Sequence, residues 1–259
     1  MLNLAFTYAD LEYFLLIVVR VTCFIFIAPF FSMSNTPNRV KIGLGVLISV
    51  LIYGSTTRPE IVYTTLTEYA IIVMKEALTG FLVGYGAMLC TTIATFTGHM
   101  IDTEIGFGMV NVFDVTTKQN MSITGQFYQY IFTLMLIASG MYRYLLQALV
   151  DTFTLIPINQ AVIRTDRLLE TFIRFMADYL IIGFRICLPV FCTILLLNCV
   201  LGILAKVAPQ MNMFAVGIQL KLLTGLAILF LTAFLLPGAA DFIFNEIKEM
   251  TVSFVEGMM

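Results

Sequence analysis

A single histidine, no tryptophan and only 12% charged residues among 259 leave this sequence poor in the groups that soluble enzymes use. With His99 alone, neither a histidine-based metal site nor a Ser/His/Asp relay with a supporting second histidine can be assembled. Two readings remain for it: a lone proton relay, or a polar residue near a helix end. No GxxxxGK[ST] run and no glycine-rich phosphate cradle occurs, so any ATP-derived energy must come from elsewhere. Basic residues are scarce as well. With 14 Lys and Arg against 16 Asp and Glu, there is no basic patch to displace counterions from phosphates, which argues against a nucleic-acid partner. The five cysteines, Cys23, Cys90, Cys187, Cys192 and Cys199, lack CxxC spacing and lie in apolar stretches. They read as small packing residues. No cofactor is implied. Residues 1–9 contain no Lys or Arg, so the positive region of a cleavable signal is missing; the first apolar stretch is expected to stay as a helix, with the mature chain beginning near Met1.

What is abundant is apolar surface. Hydrophobic residues make up 60% of the chain and its mean hydropathy is +0.97, against roughly 45–50% apolar residues in an ordinary soluble domain. The surplus calls for lipid or protein partners. Six apolar stretches stand out, at about 11–31, 40–54, 61–97, 127–150, 176–205 and 213–240. Most reach the roughly 30 Å of a hydrocarbon core at about 1.5 Å per residue. Stretch 40–54 is short for a span, and 61–97 is too long for one straight helix. The expected fold class is all-α: a polytopic helical membrane protein of one domain, with some stretches broken or re-entrant. Turns are expected at Ser32 to Asn38, Ser55 to Glu60 and Leu155 to Gln160, where Pro37, Pro59 and Pro157 cannot continue a helix.

Orientation does not follow simply from charge. Asp10 and Glu12 followed by Arg39 and Lys41 suggest an outside start and an inside first loop, yet alternating spans then put Arg164, Arg167 and Arg174 outside. Either a stretch is re-entrant or partners set the topology. Arg20, Lys75, Glu76 and Arg185 lie within apolar stretches, where an ionised group costs about 2.5–3.5 kcal/mol on insertion scales. Each either pairs with a neighbouring subunit, snorkels to an interface, or contacts a partner helix or a conduit. Gly80 and Gly84 have the small-xxx-small spacing that lets helix backbones approach closely.

Two segments carry unusual chemistry. Between about 98 and 126, the run Gly106-Phe107-Gly108-Met109-Val110-Asn111-Val112-Phe113-Asp114 is followed by polar residues and Met121. It is apolar without helical period. Its glycines permit unusual backbone shapes, and its Met and Phe side chains can fill an irregular opening and refill it after deformation. An ordinary buried loop and a mobile hydrophobic plug both fit. The second segment runs from Ala205 to Lys221, with Lys206, Pro209, Gln210, Phe214, Gly217 and Lys221 around a hairpin turn. Its flanking lysines suit a cytoplasmic interface or an acidic partner.

These segments resemble the FliR family of flagellar export-gate subunits and, more distantly, its counterpart in injectisome type III secretion. The marks are Gly-Phe-Gly-Met-x-Asn-Val-x-Asp at Gly106 to Asp114 and Ala-Pro-Gln-x-x-x-Phe-x-x-Gly-x-x-Leu at Ala208 to Leu220, with Asp151-Thr152-Phe153 and Leu155-Ile156-Pro157 between them. Many relatives carry proline where this chain has Val115, and some where it has Gln219; the first departure touches the plug turn, and neither touches the assignment. The resemblance implies one copy of this chain assembled with several FliP-like and FliQ-like subunits, and with export platform proteins, into a helical conical pore for unfolded flagellar proteins. Residues 1–177 would be FliP-like and 178–240 a FliQ-like hairpin, in the bacterial cytoplasmic membrane at the flagellar basal body. Gly106, Phe107, Gly108, Met109, Asn111, Phe113, Asp114 and Met121 would form the resting plug. Energy would come from the proton motive force and a separate ATPase. The competing class is an ion-coupled secondary transporter, which should show repeat symmetry around a midplane site; no such repeat is visible. A membrane-embedded enzyme is disfavoured by the single histidine.

Overall fold

A computed structural model describes residues 8–33, 36–56, 63–107, 112–114, 119–210 and 212–259. Among the described residues eight α-helices carry the fold: α1 (Tyr8–Ile27), α2 (Asn38–Ser55), α3 (Leu66–Ile105), α4 (Ile123–Ala138), α5 (Met141–Leu155), α6 (Thr165–Val207), α7 (Met213–Thr232) and α8 (Leu236–Glu256). One antiparallel pair of three-residue strands, β1 (Val112–Asp114) and β2 (Gln119–Met121), interrupts them.

Several boundaries differ from the sequence reading, each for a local reason. The stretch expected to be too long for one helix is a single 40-residue helix, α3. No proline falls between Pro59 and Pro157 to stop it, and its mid-helix Glu76 finds an internal partner. The stretch 127–150 is two helices, bent where Gly140 takes a left-handed φ of +73°. The stretch 213–240 breaks into a short 3-10 turn at Ala233–Leu235, because Pro237 has no N–H to carry the α-helical pattern through. Beyond the break, α8 was not among the six stretches. Its buried Ile243, Ile247, Met250 and Phe254 recur at three- and four-residue spacing, the mark of a helix with one apolar face. The segment 98–126 is helical at both ends rather than loop throughout.

The chain forms two compact units: residues 1–89, 140–175 and 246–259 in the first, 90–139 and 176–245 in the second. The first is organised around α1, whose Tyr13, Leu16, Ile17, Arg20, Val21, Phe24 and Ile25 are buried on one face. α3 lies directly on this helix. A methyl group at Gly80 would collide with the Arg20 carbonyl oxygen, and one at Gly84 would come within 3.0 Å of the Phe24 carbonyl oxygen. The four-residue spacing of the two glycines therefore does seat one backbone on another. On the other side, Gly45 of α2 faces Thr22. The end of α8 closes the unit: Phe254 packs on Gly86, and the Val162 and Arg164 amides donate to the Met258 and Gly257 carbonyls, both at 3.0 Å.

In the second unit Ile93, Ile101 and Ile105 of α3, Tyr128 and Phe132 of α4, and Ile182, Val190 and Ile194 of α6 are buried. Gly183 rests against the Phe96 ring. Of the cysteines, Cys90 and Cys187 are buried packing residues as expected, whereas Cys192 and Cys199 are exposed on α6. That correction follows from α6 itself, which buries only one edge.

By length and composition, three segments of the described chain suffice to cross a membrane: Leu66–Ile105, Thr165–Val207 and Ala215–Glu256, or four if the bent pair α4 and α5 is counted as one span. The apolar windows of the second and third are only 17% buried within the chain. Leu196, Ile203, Leu223 and Phe230 are each more than half exposed, so this surface requires lipid or partner protein.

Gly80→Ala should lower the stability of the chain in detergent by about 1–3 kcal/mol, the usual penalty of forced overpacking. Gly43→Ala, where an added methyl meets nothing, should be neutral or stabilise by up to about 1 kcal/mol. Thermal melts followed by circular dichroism compare the two; equal midpoints would rule out the backbone contact at Gly80.

Candidate functional site

The structure brings together two of the four charges singled out within apolar stretches. Arg20 and Glu76 are both fully buried. Arg20 Nε donates to Glu76 Oε2 at 2.6 Å, and Nη2 lies 2.6 Å from the same oxygen without an aligned N–H to it. Nη1 donates to the carbonyl oxygens of Thr152 (3.1 Å) and Ile156 (3.0 Å). The guanidinium lies 4.4 Å from the centre of the Phe153 ring, an attractive placement over the ring's electron-rich face. The other carboxylate oxygen, Oε1, accepts from the Asn159 amide at 3.0 Å, and Asn159 holds a left-handed φ of +69°.

One ion pair thus ties α1 and α3 to the end of α5 and the turn after it. The motif Asp151-Thr152-Phe153 with Leu155-Ile156-Pro157 is the cradle of Arg20. Removing either charge leaves the other desolvated, and such breakage is commonly worth 3–5 kcal/mol. Lys75, one residue away, is half-buried, and no carboxylate among the described residues pairs with it. Arg185 is exposed on α6, with its guanidinium 4.9 Å from the Phe242 ring centre.

The second feature is the neck of the segment between α3 and α4. α3 ends at Gly106, φ +96°, where the left-handed conformation that halts a helix suits glycine. α4 begins at Ser122, whose Oγ accepts from the Gly125 amide at 2.8 Å, a standard cap. Buried Asp102 accepts the Thr124 amide at 3.3 Å on each carboxylate oxygen. Its negative charge therefore sits at the positive end of α4. Gly98 meets the backbone of Gly125 so closely that no side chain fits between them.

The two ends of the segment are therefore held together at a closed neck. Within the segment the register pairs Val112 with Met121, Phe113 with Asn120 and Asp114 with Gln119. Of the residues expected to form a plug, Gly106 and Phe107 stand at the neck. Gly108, Met109 and Asn111 lie outside the described residues, and Phe113, Asp114 and Met121 are described by their backbone.

The third feature is the hairpin between α6 and α7. Lys206, Pro209 and Gln210 are exposed and Lys221 is half-buried. Asn212 caps α7 through the Ala215 amide at 3.4 Å. Buried Gly217 would place a methyl 3.6 Å from Leu201, so it marks where the two helices approach. Phe214 belongs to α7, with its side chain outside the described residues.

Sequence reasoning misses Asp102, Gly98 and Gly125, because along the chain they read as parts of one loop. The combination Ser122-x-x-Gly125 after a polar run was a legible helix start. It also treated Arg20 and Glu76 separately, although their opposite signs within two neighbouring apolar stretches signalled a pair.

Residues 11–247 match the model of a family described as bacterial export proteins, family 1. The chain is similar to the flagellar biosynthetic protein FliR of Bacillus subtilis (strain 168), 29% identical with 81% of each chain covered. It is similar also to that of Pectobacterium carotovorum, 28% identical over 90% of this chain and 88% of the relative. For Escherichia coli (strain K12), identity is 26% over 92% and 90%.

Glu76→Gln should destabilise the chain by about 3–5 kcal/mol, since it strands a buried guanidinium. The double variant Arg20→Met with Glu76→Met should lose less than Glu76→Gln alone. A double-mutant cycle from detergent melts measures the coupling; additive effects would show that the two side chains do not interact.

Proposed function

The chain belongs to the bacterial export proteins, family 1, and from that premise we propose that it is a subunit of the flagellar type III protein export gate in the bacterial cytoplasmic membrane, at the flagellar basal body. The match over residues 11–247 carries this reading, supported by the relatives named FliR. The exposed apolar faces of α6 and α7 supply the physical motive for assembly. On this reading the chain joins FliP-like and FliQ-like subunits, with 1–177 acting as the FliP-like part and 178–240 as the FliQ-like hairpin. The assembly receives unfolded flagellar proteins from the export platform and passes them through a helical conical pore.

The segment beyond the neck acts as the resting plug. A gate of this kind must move its tip while keeping its base, and the neck provides the base. Gly98 against Gly125 and Asp102 on the Thr124 amide hold the two ends of the segment together. The sequence between Gly106 and Met121 then deforms without separating α3 from α4. Its soft Met and Phe side chains close around small ions yet yield to a polypeptide.

Native mass spectrometry of the tagged chain, purified from its native membrane in mild detergent, should find one copy with several FliP-like and FliQ-like chains. A stable monomer or homodimer, found while those partners are expressed, would turn attention to a secondary transporter. Within the assembled gate, deletion of residues 108–118 should raise ion conductance at least about tenfold, and Asp102→Asn should raise it less. Conductance unchanged by the deletion would remove the plug reading.

A further inference from the structure

We propose that the outer face of α3 from Ile71 to Tyr85 is a seam for one helix of an accompanying subunit, an apolar helix that brings a carboxylate to Lys75. This rests on the reading that the chain works in an assembly with other subunits. Ile71, Met74, Leu78, Phe81 and Tyr85 recur at alternating three- and four-residue steps. That is heptad spacing, with Ile71, Leu78 and Tyr85 at position a and Met74 and Phe81 at position d. Ile71 and Met74 are more than half exposed, and Leu78 and Phe81 are exposed as well. The Phe81 and Tyr85 rings stack with centroids 5.3 Å apart and planes at 18°, a ledge of large apolar area in a fixed shape. The other side of the helix is already taken. Ile72, Glu76, Val83 and Ala87 are buried in the first unit, and Gly80 and Gly84 seat it on α1.

Charge says what the partner must carry. Lys75 falls at position e, beside the seam, where coiled-coil helices exchange salt bridges. It is half-buried, and no carboxylate among the described residues pairs with it. Glu76 points about 100° away from it and is held by Arg20. Between Glu68 and His99, α3 has no charge other than Lys75 and Glu76. Arg20, Glu76 and Lys75 together therefore leave one positive charge unbalanced. A partly desolvated ammonium among exposed apolar side chains is stabilised by an acidic counterpart, which also fixes the register of the two helices.

A helix suits this face better than lipid or a second copy of the chain. Half of the apolar window of α3 is buried within the chain, against 17% for those of Thr165–Val207 and Ala215–Glu256. What remains open on α3 is a narrow stripe. Acyl chains cover any apolar surface, whereas a second helix needs the a and d recurrence, because its knobs enter holes only at that step. Packing of this class crosses near +20° with axes about 8–10 Å apart, so contact persists along the roughly 21 Å of two heptads. Lys75 then meets position g of a parallel partner or position e of an antiparallel one. A second copy would bring another unbalanced Lys75 and a Glu76 already engaged.

The test uses the full chain, purified in mild detergent with the chains that accompany it. The photo-crosslinker p-benzoylphenylalanine replaces Met74 and, in a second variant, Leu78. Mass spectrometry of the adducts is expected to place both positions on one helix of another subunit, with an Asp or Glu within one turn of the linked residue. Lys75→Glu should lower the co-purified amount of that subunit about tenfold or more, and Lys75→Arg should leave it unchanged. Exchanging the mapped carboxylate for lysine should restore binding to Lys75→Glu, which separates a lost contact from a lost fold. Adducts with lipid, with a second copy or with no chain, while other subunits co-purify, overturn the seam and leave the assembly reading intact. So does a Lys75→Glu complex as strong as the wild type, or a loss that the exchange does not reverse. A wild-type chain that brings down no other subunit overturns the assembly reading, and the seam with it.

Discussion

A guanidinium cut off from water has to be answered on all sides by its own protein, and Arg20 sets that requirement for the first unit. One carboxylate, two main-chain carbonyls and an aromatic face meet it. Those groups come from α3, from α5 and from the turn that follows. The helices can take no other register without stranding the charge, so the pair acts as a key for assembly more than as a source of net stability. A well-packed apolar core of the same volume is often as stable as a buried ion pair. What the pair adds is intolerance of alternatives. Glu76 extends the constraint by holding the Asn159 amide in a left-handed turn.

Close backbone approach is the companion constraint. Gly80 and Gly84 let α3 lie on α1 beside the ion pair, and the short distance between helix axes brings Glu76 within reach of Arg20. In the second unit Gly98 and Gly125 do the same for α3 and α4, and Asp102 fastens the contact through a main-chain amide. Both units use one device: glycines admit the neighbouring backbone, and a buried acidic group next to them bonds to that neighbour. The outer faces of α6 and α7 follow another rule. Their apolar residues are left uncovered by the chain, so the fold is complete only against lipid or partner protein.

Much of this was legible in the sequence. The apolar surplus and scarcity of charge announced helices at a membrane, and prolines at 37 and 157 marked turns between them; Pro59 lies outside the described residues. The spacing of Gly80 and Gly84 foretold a close helix contact. Other features were not legible in the same way. The length of α3 was misjudged because Lys75 and Glu76 resemble an interruption when read along the chain. The amphipathic end of α8 was passed over because a search for apolar runs does not see a helix with one apolar face. The neck was hidden inside what looked like loop, since its glycines signal flexibility until a partner backbone is found against them.

The sequence by itself determined the class of the protein, its family motifs and the absence of the usual catalytic groups, because these depend on residue type and local spacing alone. Tertiary structure decided which charges meet. Arg20 and Glu76 come into contact across 56 positions, whereas Lys75, beside Glu76, does not share in the pair. An α-helix turns about 100° per residue, so adjacent side chains face different surroundings, and only packing selects which of them is buried with a partner.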